Sequence, residues 1–549
     1  MSLNKNTLNK QDTQKRIILA TLISFVFFIA YDIFYIKPQQ ELQAAEQKAK
    51  QEKIVKQKST VSSVNEAPKS SVVTTSSKAP DSKNVEKSSI VTTITTAKNI
   101  IKIDNLGRIA QVVLTDKQYI DKDNAQIKLF TSTQLRPLEV RFSNSTINEL
   151  AFKNNIKTNI DKLDATTKAA KLILTQNLGD VVLTKNLTFY PDGHYDVEIK
   201  TSKAVEFFVT PGFRPNVLVD MYAVHGAILF KSDNTIETIK DDDMDNTREL
   251  SGVQIASAFD RYYATVLYNL DKNLNVSVMK DATNSPNIFI HAKSDIKLGG
   301  YIGPKEYKTL HALDPRLTHV IDYGWFTFIA KPMFTFLQFV HGFTGNWGWA
   351  IVVLIIIIKL VLFPLSYKGM TSMNRLKELA PRIKQIQEKY KDDKQKASMH
   401  MMELYKKEGA NPMGGCLPMI LQIPVFFAIY RVLLNAIELK GAPWILWIHD
   451  LAAMDPYYVL PILMGATMFI QQKITPNTMT DPTQQKMFQF LPVVFTFFFL
   501  WFPAGLTLYW FMNNLLTVAQ QFYINKVFEK QKGLRHEKHI KEKHLQKKK

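Results

Sequence analysis

The chain has 549 residues, which is longer than one compact domain usually is, so we expect at least two structural units. Its formal charge of +20 predicts an anionic partner, either lipid headgroups or nucleic acid. Its single cysteine, Cys416, excludes an intramolecular disulfide and gives no cluster of metal ligands.

The N-terminal residues predict a membrane anchor. Segment 17–36 is apolar and long enough to cross the roughly 30 Å hydrocarbon core of a bilayer, and basic residues precede it within 1–16. A cleaved signal peptide is the alternative, but the segment is long for one and no small-x-small cleavage site follows it. We therefore expect a first transmembrane helix with a cytoplasmic N-terminus, then a polar tether at 37–98 without aromatic residues or glycine.

Residues 99–318 are predicted to form a large β-sandwich on the far side of the first membrane helix. Apolar and polar residues alternate in several short segments, and this pattern places Leu138, Val140 and Phe142 on one strand face. Segments 195–199 and 274–278 alternate in the same way. Repeated short strands with Asn, Asp, Gly and Pro between them are typical of an antiparallel sandwich.

Segment 321–342 predicts an amphipathic helix in the membrane interface. It combines many aromatic residues with one lysine, Lys331, which suits a helix that lies along the membrane surface. The alternative is a helix that continues into the next membrane span. Pro332 and Gly342 disfavour that continuation, because both residues weaken a helix interior.

Five more membrane helices are predicted, which makes the fold an α-helical polytopic membrane protein with six transmembrane helices. The five cover residues 347–366, 417–438, 457–474, 487–502 and 504–522. The loop 367–416 holds eleven Lys and Arg against six acids and the tail 525–549 holds ten against three, whereas the loop 439–456 has Lys440 alone. By the positive-inside rule, both chain termini are therefore cytoplasmic.

The cytoplasmic loop 367–416 is predicted to form a helical hairpin. Apolar residues recur in it at three- and four-residue steps on both sides of a break at 392–394. We expect the hairpin and the basic tail 525–549 to contact ribosomal RNA, whose phosphates favour Lys and Arg, with phospholipid headgroups as the competing anion. A solvated hairpin without any partner is the alternative.

Polar residues inside the predicted spans are the main functional signal. Lys359 lies within the span 347–366, where a lysine at the bilayer centre costs about 2.5–3.5 kcal/mol. Several polar residues of the last span follow at three- and four-residue steps and therefore share a helix face. In the predicted orientation nearly all of the polar set lies in the cytoplasmic half of the membrane, and Asn435, near the outer end, is an exception. The other members are Lys359, Gln422, Gln471, Tyr509, Asn513, Asn514, Thr517 and Gln520.

Three interpretations of these polar residues remain open. Lys359 can snorkel to the membrane surface, and ordinary hydrogen bonds between helices can account for one or two of the others. A water-filled recess that opens only to the cytoplasm explains why the polar residues share one half of the bilayer. A hydrophilic segment of another protein could enter such a recess, so that it crosses only half of the apolar layer without using ATP.

The C-terminal half resembles the YidC/Oxa1/Alb3 family of membrane protein insertases, and the large external domain is similar to that of the Gram-negative type. The resemblance rests on long segments, which makes it specific. They are GNWGWAIVVLIIIIK at 345–359, NPMGGCLPMILQIPVFFAIYRVL at 411–433, LWIHDLAAMDPYYVLPILMG at 446–465, DPTQQK at 481–486, LWFPAGLTLYWFMNN at 500–514 and YIGPKEY at 301–307.

The resemblance implies an insertase and chaperone of the bacterial inner membrane, whose core of five helices forms a positively charged groove open to the cytoplasm and to lipid. It also implies nascent membrane proteins as clients, delivered by ribosomes and inserted either alone or with the Sec translocon. Lys359 matches the position of the groove's arginine, so the charge is kept but the planar fork of donors is lost. Tyr509 and Trp510 match aromatic positions that contact clients.

No catalytic motif, metal site or cofactor site is predicted, so we do not expect an enzyme or a small-molecule substrate. Two rival functions are a small-molecule transporter and a membrane assembly scaffold. A transporter usually contains inverted repeats and broken helices, and we find no such repeat. Besides Lys359, we place one charged residue within the spans, Asp32 of the first helix.

Overall fold

The computed structural model describes most of the chain after the tether. The described residues are 89–120, 125–131, 134–215, 217, 224–241, 243–244, 246–281, 284–409, 417–475 and 482–546. The predicted N-terminus 1–16, the predicted first membrane helix 17–36 and most of the tether 37–98 lie outside them. The strands are β1 (Ile90–Thr96), β2 (Asn99–Asp104), β3 (Ile109–Leu114), β4 (Val140–Phe142), β5 (Lys162–Ala165), β6 (Ala170–Leu178), β7 (Val181–Phe189), β8 (Tyr195–Thr201), β9 (Phe207–Val209), β10 (Gly226–Lys231), β11 (Ile236–Lys240), β12 (Arg248–Phe259), β13 (Tyr263–Tyr268), β14 (Leu274–Lys280), β15 (Pro286–Ala292) and β16 (Ile296–Pro304).

Within the described ranges these strands form two sheets that contribute to one apolar core. The larger sheet has the order β4-β9-β15-β14-β12-β13-β16-β8-β7-β6, with β10 paired to β12 and β11 to β10. The smaller sheet has the order β3-β2-β1-β5, and its β1–β5 pair is parallel. The prediction of a purely antiparallel domain is therefore wrong at this pair. The long excursion between β1 and β5 is what lets the chain return in the same direction.

The alternation predicted for segment 195–199 is confirmed, whereas in 274–278 the polar Ser277 is also buried. Tyr195, Val197 and Ile199 are 0–1% exposed, and the apolar residues of 274–278 are 0–4% exposed. The prediction for Leu138 needs a correction. Leu138 is buried, but its φ of +64° is left-handed, so β4 begins only at Val140.

A fully buried lysine, Lys185, binds two backbone carbonyl groups, one of them that of Leu138. The ammonium group of Lys185 donates hydrogen bonds to the carbonyl oxygens of Gly107 and Leu138, each at 2.8 Å. Burial lowers the pKa of Lys185 to about 8, although Asp104 and Glu139 favour its charged form. These contacts join β7 to the loops that precede β3 and β4.

The helices are mostly in the second half of the chain. They are α1 (Ser145–Lys153), α2 (Tyr307–Leu313), α3 (Thr327–Thr344), α4 (Trp347–Val361), α5 (Phe363–Lys389), α6 (Lys394–Lys407), α7 (Leu417–Asn435), α8 (Val459–Ile474), α9 (Pro482–Phe499) and α10 (Ala504–Gln546). Short 3₁₀ turns lie at Pro315–Val320, Gly324–Phe326 and Ile437–Leu439.

Helix α3 corresponds to the predicted interfacial helix 321–342, but it begins and ends later. It continues through Pro332 and stops at Gly345, whose φ of +62° is left-handed. The side chain of Asn346 then accepts a hydrogen bond from the Trp349 amide and so caps α4. One face of α3 is buried, while Phe328 is 73% exposed on the other face. The helix is therefore amphipathic.

A bend interrupts the predicted span 347–366. Helix α4 ends at Val361, α5 begins at Phe363, and the two helix axes differ in direction by 64°. By length and apolar composition this bent pair could cross a bilayer, whereas no described helix passes the same criterion by itself. We call the bend the elbow.

The hairpin predicted at 367–416 corresponds to α5 and α6, which are separated at residues 390–393. Leu376 and Leu379 of α5 are buried against Leu404 and Tyr405 of α6. Residues 410–416 lie outside the described part. The hairpin's first helix is longer than predicted, because α5 begins directly at the elbow.

The last helix extends much further than predicted. We expected a span at 504–522 and a separate basic tail at 525–549, but α10 is continuous from Ala504 to Gln546. Its 43 residues correspond to a length of about 65 Å at 1.5 Å per residue. The predicted spans 417–438, 457–474 and 487–502 correspond to α7, α8 and α9.

Direct hydrogen bonds connect the β-rich domain to the end of α7. Arg261, in the turn between β12 and β13, donates from Nε to the carbonyl oxygen of Leu434 at 2.7 Å. The amide of Tyr307 donates to the carboxylate of Glu438 at 3.0 Å, which caps the start of α2. Within this part of the chain, hydrogen bonds therefore attach the β-rich domain to the end of α7.

Candidate functional site

The candidate site centres on Lys359, in the last turn of α4. Its ammonium group donates a hydrogen bond to the hydroxyl of Thr517 on α10, at 2.8 Å. That hydroxyl in turn donates to the carbonyl oxygen of Asn513, at 2.6 Å. The side chain of Lys359 is half-buried. Among the residues that the structure describes, no carboxylate pairs with this ammonium group.

Two further hydrogen bonds extend the polar site to three helices. Gln422 of α7 donates from Nε2 to Oδ1 of Asn513, at 3.0 Å. Gln520 donates from Nε2 to the backbone carbonyl of Lys359, at 3.4 Å. Asn513, Thr517 and Gln520 all lie on α10 at steps of four and three residues, so they point to one side of the helix. The structure therefore brings α4, α7 and α10 together at the residues that the sequence singled out.

An aromatic cluster adjoins this polar face on the N-terminal side of α10. The rings of Phe426 and Trp510 meet edge to face at 4.6 Å between centroids, and Phe499 lies 5.1 Å from Trp510. Tyr509 is 3% exposed and its ring lies 6.5 Å from Phe426. Trp510 precedes Thr517 by seven residues, or about 10 Å along the helix. Polar groups on α10 thus give way to apolar rings within two turns.

Besides Tyr509 and Trp510 of the aromatic cluster, two predicted site residues do not join the Lys359 network. Gln471 is half-buried on α8, and its backbone carbonyl accepts hydrogen bonds from Thr475. Asn514 is 5% exposed and lies on a different face of α10 from Asn513 and Thr517. The sequence placed both residues in the groove, because helical spacing shows which residues share a face. It does not show which neighbouring helix that face contacts.

Sequence reasoning missed a buried carboxylate, Asp455, in the loop that precedes α8. Asp455 is 1% exposed, and its carboxylate accepts hydrogen bonds from the Trp447 indole, the Tyr457 amide and the Leu460 amide. An Asp just before an apolar helix is a capping signal that could have identified it. The count of charged residues in the predicted spans was also wrong, because it omitted Arg431 and Glu438 in 417–438 and Lys473 in 457–474.

The site offers one positive charge, the Lys359 ammonium group, and several groups that form hydrogen bonds. Thr517 accepts one N–H of the ammonium group, so the other two are available to water or to an acidic group. In the parts of the chain that the structure describes, no group of three His, Cys, Asp or Glu side chains could hold a metal ion. The arrangement can therefore attract an anion and hydrate a polar segment.

Comparisons with known proteins cover nearly the whole chain. Residues 91–336 match the family described as YidC periplasmic domain, and residues 339–532 match the family described as 60Kd inner membrane protein. The membrane protein insertase YidC of Campylobacter jejuni is 51% identical over 528 residues, which cover 96% of this chain and 98% of that protein. The chain belongs to the YidC family. The family that the sequence motifs predicted is thus confirmed.

Other YidC proteins show similar coverage. YidC of Wolinella succinogenes is 46% identical over 95% of this chain and 97% of its own length, and YidC of Helicobacter pylori is 45% identical over 96% and 98%. Like other members of the YidC family, the protein therefore combines a periplasmic β-rich domain with a helical core in the inner membrane.

Solved YidC structures are also similar to this chain. An active YidC insertase with its first transmembrane domain resolved has a TM-score of 0.37 at 18% identity, over 80% of this chain and 93% of that one. YidC from Thermotoga maritima has a TM-score of 0.28 at 15% identity, over 78% and 99%.

Proposed function

We propose that this protein inserts integral membrane proteins into the inner membrane and helps them to fold. The observation that carries the proposal is the Lys359 ammonium group, which has a hydroxyl partner and no carboxylate partner among the described residues. A charge held in this way is available to acidic residues of a client. The family membership agrees with this function, since the similar proteins are named membrane protein insertases.

The proposed mechanism is a shortened path through the apolar layer. A hydrophilic client segment enters a groove lined by Lys359, Gln422 and the polar face of α10, which opens to the cytoplasm and to lipid. At an effective dielectric constant of 20, a client carboxylate about 4 Å from the ammonium group gains on the order of 4 kcal/mol before desolvation. The apolar helix of the client then moves sideways into lipid, and this transfer drives the step without a nucleotide.

Tyr509 and Trp510 complete the proposed groove at its apolar end. Trp510 is half-buried next to the polar face of α10 and suits contact with the apolar helix of a client. Tyr509 is 3% exposed and lies against Phe426, so it contacts a client only if the helices shift. Asn513, Thr517 and Gln520 offer hydrogen bonds to the polar segment of the client. Gln471 and Asn514 remain candidates for the groove only if the helices shift when a client binds. No covalent step and no cofactor take part.

The proposed topology has six membrane helices with both termini in the cytoplasm, as the distribution of Lys and Arg favours. In that orientation the hairpin of α5 and α6 and the basic end of α10 face the ribosome. We propose that they bind ribosomal RNA, and that the protein works either alone or beside the Sec translocon. If the amount of protein that co-sediments with ribosomes is unchanged after deletion of 530–549, the role of the tail is refuted.

Reconstitution into protein-free liposomes tests the function. The assay measures the protease-protected fraction of a short client with an acidic translocated tail. We expect Lys359→Arg to retain insertion, because the charge is kept, and Lys359→Glu to lose most of it, because attraction becomes repulsion. Lys368→Glu is the matched control, since Lys368 carries the same charge on an exposed side chain nine residues further along.

The outcomes separate the rival functions. Equal insertion by Lys359→Glu and Lys368→Glu would refute an electrostatic role for Lys359. A wild-type protein that inserts no client in these liposomes would favour a scaffold. Client-independent uptake of a small solute would favour a transporter.

A further inference from the structure

A second polar face on α10 lies beside the one that contacts Lys359, about a quarter of a turn around the helix. It consists of Asn514, Gln521 and Asn525, which are spaced by seven and four residues and so follow one side of the helix. Gln521 donates from Nε2 to Oδ1 of Asn525, at 2.7 Å. Asn374 of α5 donates from Nδ2 to the same oxygen, at 2.9 Å. Oδ1 of Asn525 thus accepts two hydrogen bonds, one of them from the hairpin.

This face holds α10 to the chain on the far side of the elbow. Before the elbow, α10 contacts α4 through Thr517 and Gln520, which bind the ammonium group and the backbone carbonyl of Lys359. After the elbow, α10 contacts α5 through Asn525 and Asn374. Thr517 and Asn525 are eight residues, or about 12 Å, apart along one continuous helix. Helix α10 therefore forms hydrogen bonds with the chain on both sides of the 64° bend.

The hydrogen bond between the two asparagines is the directional part of this attachment. Ile524 and Phe528 of α10 are buried beside it, at 0% and 6% exposure, but apolar contacts allow sliding. Lys532 forms an ion pair with Glu378 at 2.9 Å, yet Lys532 is largely exposed and such pairs contribute little. The amide of Asn374 is 7% exposed, so it must keep a partner.

We propose that Asn374 and Asn525 are positioning residues whose hydrogen bond fixes the angle of the elbow, and so holds the cytoplasmic hairpin in one place relative to Lys359. The proposal rests on the insertase function for its consequence, but not for its geometry. A client segment that leaves the hairpin must pass directly into the groove at Lys359. If the hairpin rotated about Leu362, it would block the groove or release the client away from it.

The bond polarity gives a specific set of variants. Asn525→Asp keeps an acceptor for both donors, so it should preserve the attachment. Asn525→Leu has nearly the same size and removes the acceptor. Asn374→Leu likewise keeps the approximate size and removes the donor. A role in packing alone would leave both leucine variants attached.

The experiment measures hairpin position and insertion in the full-length protein. Spin labels at Met402 of α6 and Leu515 of α10, which are 50% and 40% exposed, report the hairpin-to-core distance by pulsed electron paramagnetic resonance in liposomes, after Cys416→Ser. Loss of one neutral hydrogen bond corresponds to a roughly five-fold fall in the attached-to-detached ratio. The same samples are assayed for client insertion.

We expect a broadened distance distribution and reduced insertion in Asn525→Leu and Asn374→Leu, with neither change in Asn525→Asp. Gln387→Ala is the control within the hairpin, because the side chain of Gln387 donates its hydrogen bond to Met401 of α6. Unchanged distances in Asn374→Leu and Asn525→Leu would overturn the attachment, and broad distances with normal insertion would overturn its role. A wild-type protein that gives a narrow distribution but no insertion would refute the proposed function and leave the attachment standing.

Discussion

The carboxylate of Asp455 is expected to be the most sensitive single group in the loop between α7 and α8. It is 1% exposed, and its Oδ1 accepts hydrogen bonds from the Trp447 indole and the Tyr457 amide, both at 3.0 Å. Its Oδ2 accepts from the amide of Leu460, in the first turn of α8, at 2.7 Å. The negative charge also lies at a helix N-terminus, where it is favoured.

Asp455→Asn keeps one acceptor and replaces the other with an NH₂ group that faces the Leu460 amide. One hydrogen bond to a charged group, about 1.5–3 kcal/mol, is lost, and a buried donor remains without an acceptor. We therefore expect a loss of about 2–4 kcal/mol in the free energy of unfolding. For a folding unit of 150–250 residues this corresponds to a fall in Tm of roughly 5–15 °C.

Thermal unfolding in detergent, followed by tryptophan fluorescence, measures this change. Asp450→Asn is the matched control, because Asp450 is half-buried and its Oδ1 accepts only from the Ala452 amide, a bond that asparagine can keep. We expect the control to unfold within about 2 °C of the wild type, as surface substitutions usually do. If both variants unfold at the same temperature, the reasoning about the carboxylate is refuted.

Two further predictions concern packing and charge. A Cβ atom on Gly465 of α8 would lie 1.9 Å from Oγ1 of Thr496 on α9, so Gly465→Ala should lower the Tm. Adding Thr496→Ala should restore part of that loss, because the nearest remaining atom would be 3.1 Å away; no restoration in the same thermal assay would contradict the close approach. For Lys185, whose pKa is lowered from 10.5 to about 8, the unfolded state binds more protons between these values, so its contribution to stability rises with pH. From pH 8 to pH 10.5 the unfolding free energy of the wild type should therefore rise, relative to that of Lys185→Met, by on the order of 3 kcal/mol. If the difference between the two proteins stayed constant over this range, the burial of the charge would be contradicted.

The sequence predicted the centre of the site because helical spacing is a local property. Asn513, Thr517 and Gln520 had to share a face of α10 whatever its surroundings, and a lysine within an apolar span had to find a polar partner. The sequence therefore offered the residues of this face as candidate partners of Lys359, and the structure pairs the ammonium group with Thr517. The second polar face of α10 was visible in the same way, but nothing local indicates that it meets α5.

The elbow and the parallel strand pair show where local patterns stop being informative. Pro364 lies at the start of α5, where proline is favoured, so the sequence did contain a signal for a new helix. The signal does not give the 64° angle, which depends on contacts between distant segments. The pairing of β1 with β5 likewise depends on how the chain returns after a long excursion, and strand alternation is the same in parallel and antiparallel pairs.

The two polar faces of α10 have a consequence for the biogenesis of this protein. The amides of α10 cannot face lipid without a cost in free energy, so the segment would enter a bilayer less readily if it arrived alone. Its amides find partners on α4, α5 and α7, all of which precede it in the chain. We therefore expect α10 to integrate last, using its own completed neighbours as a template.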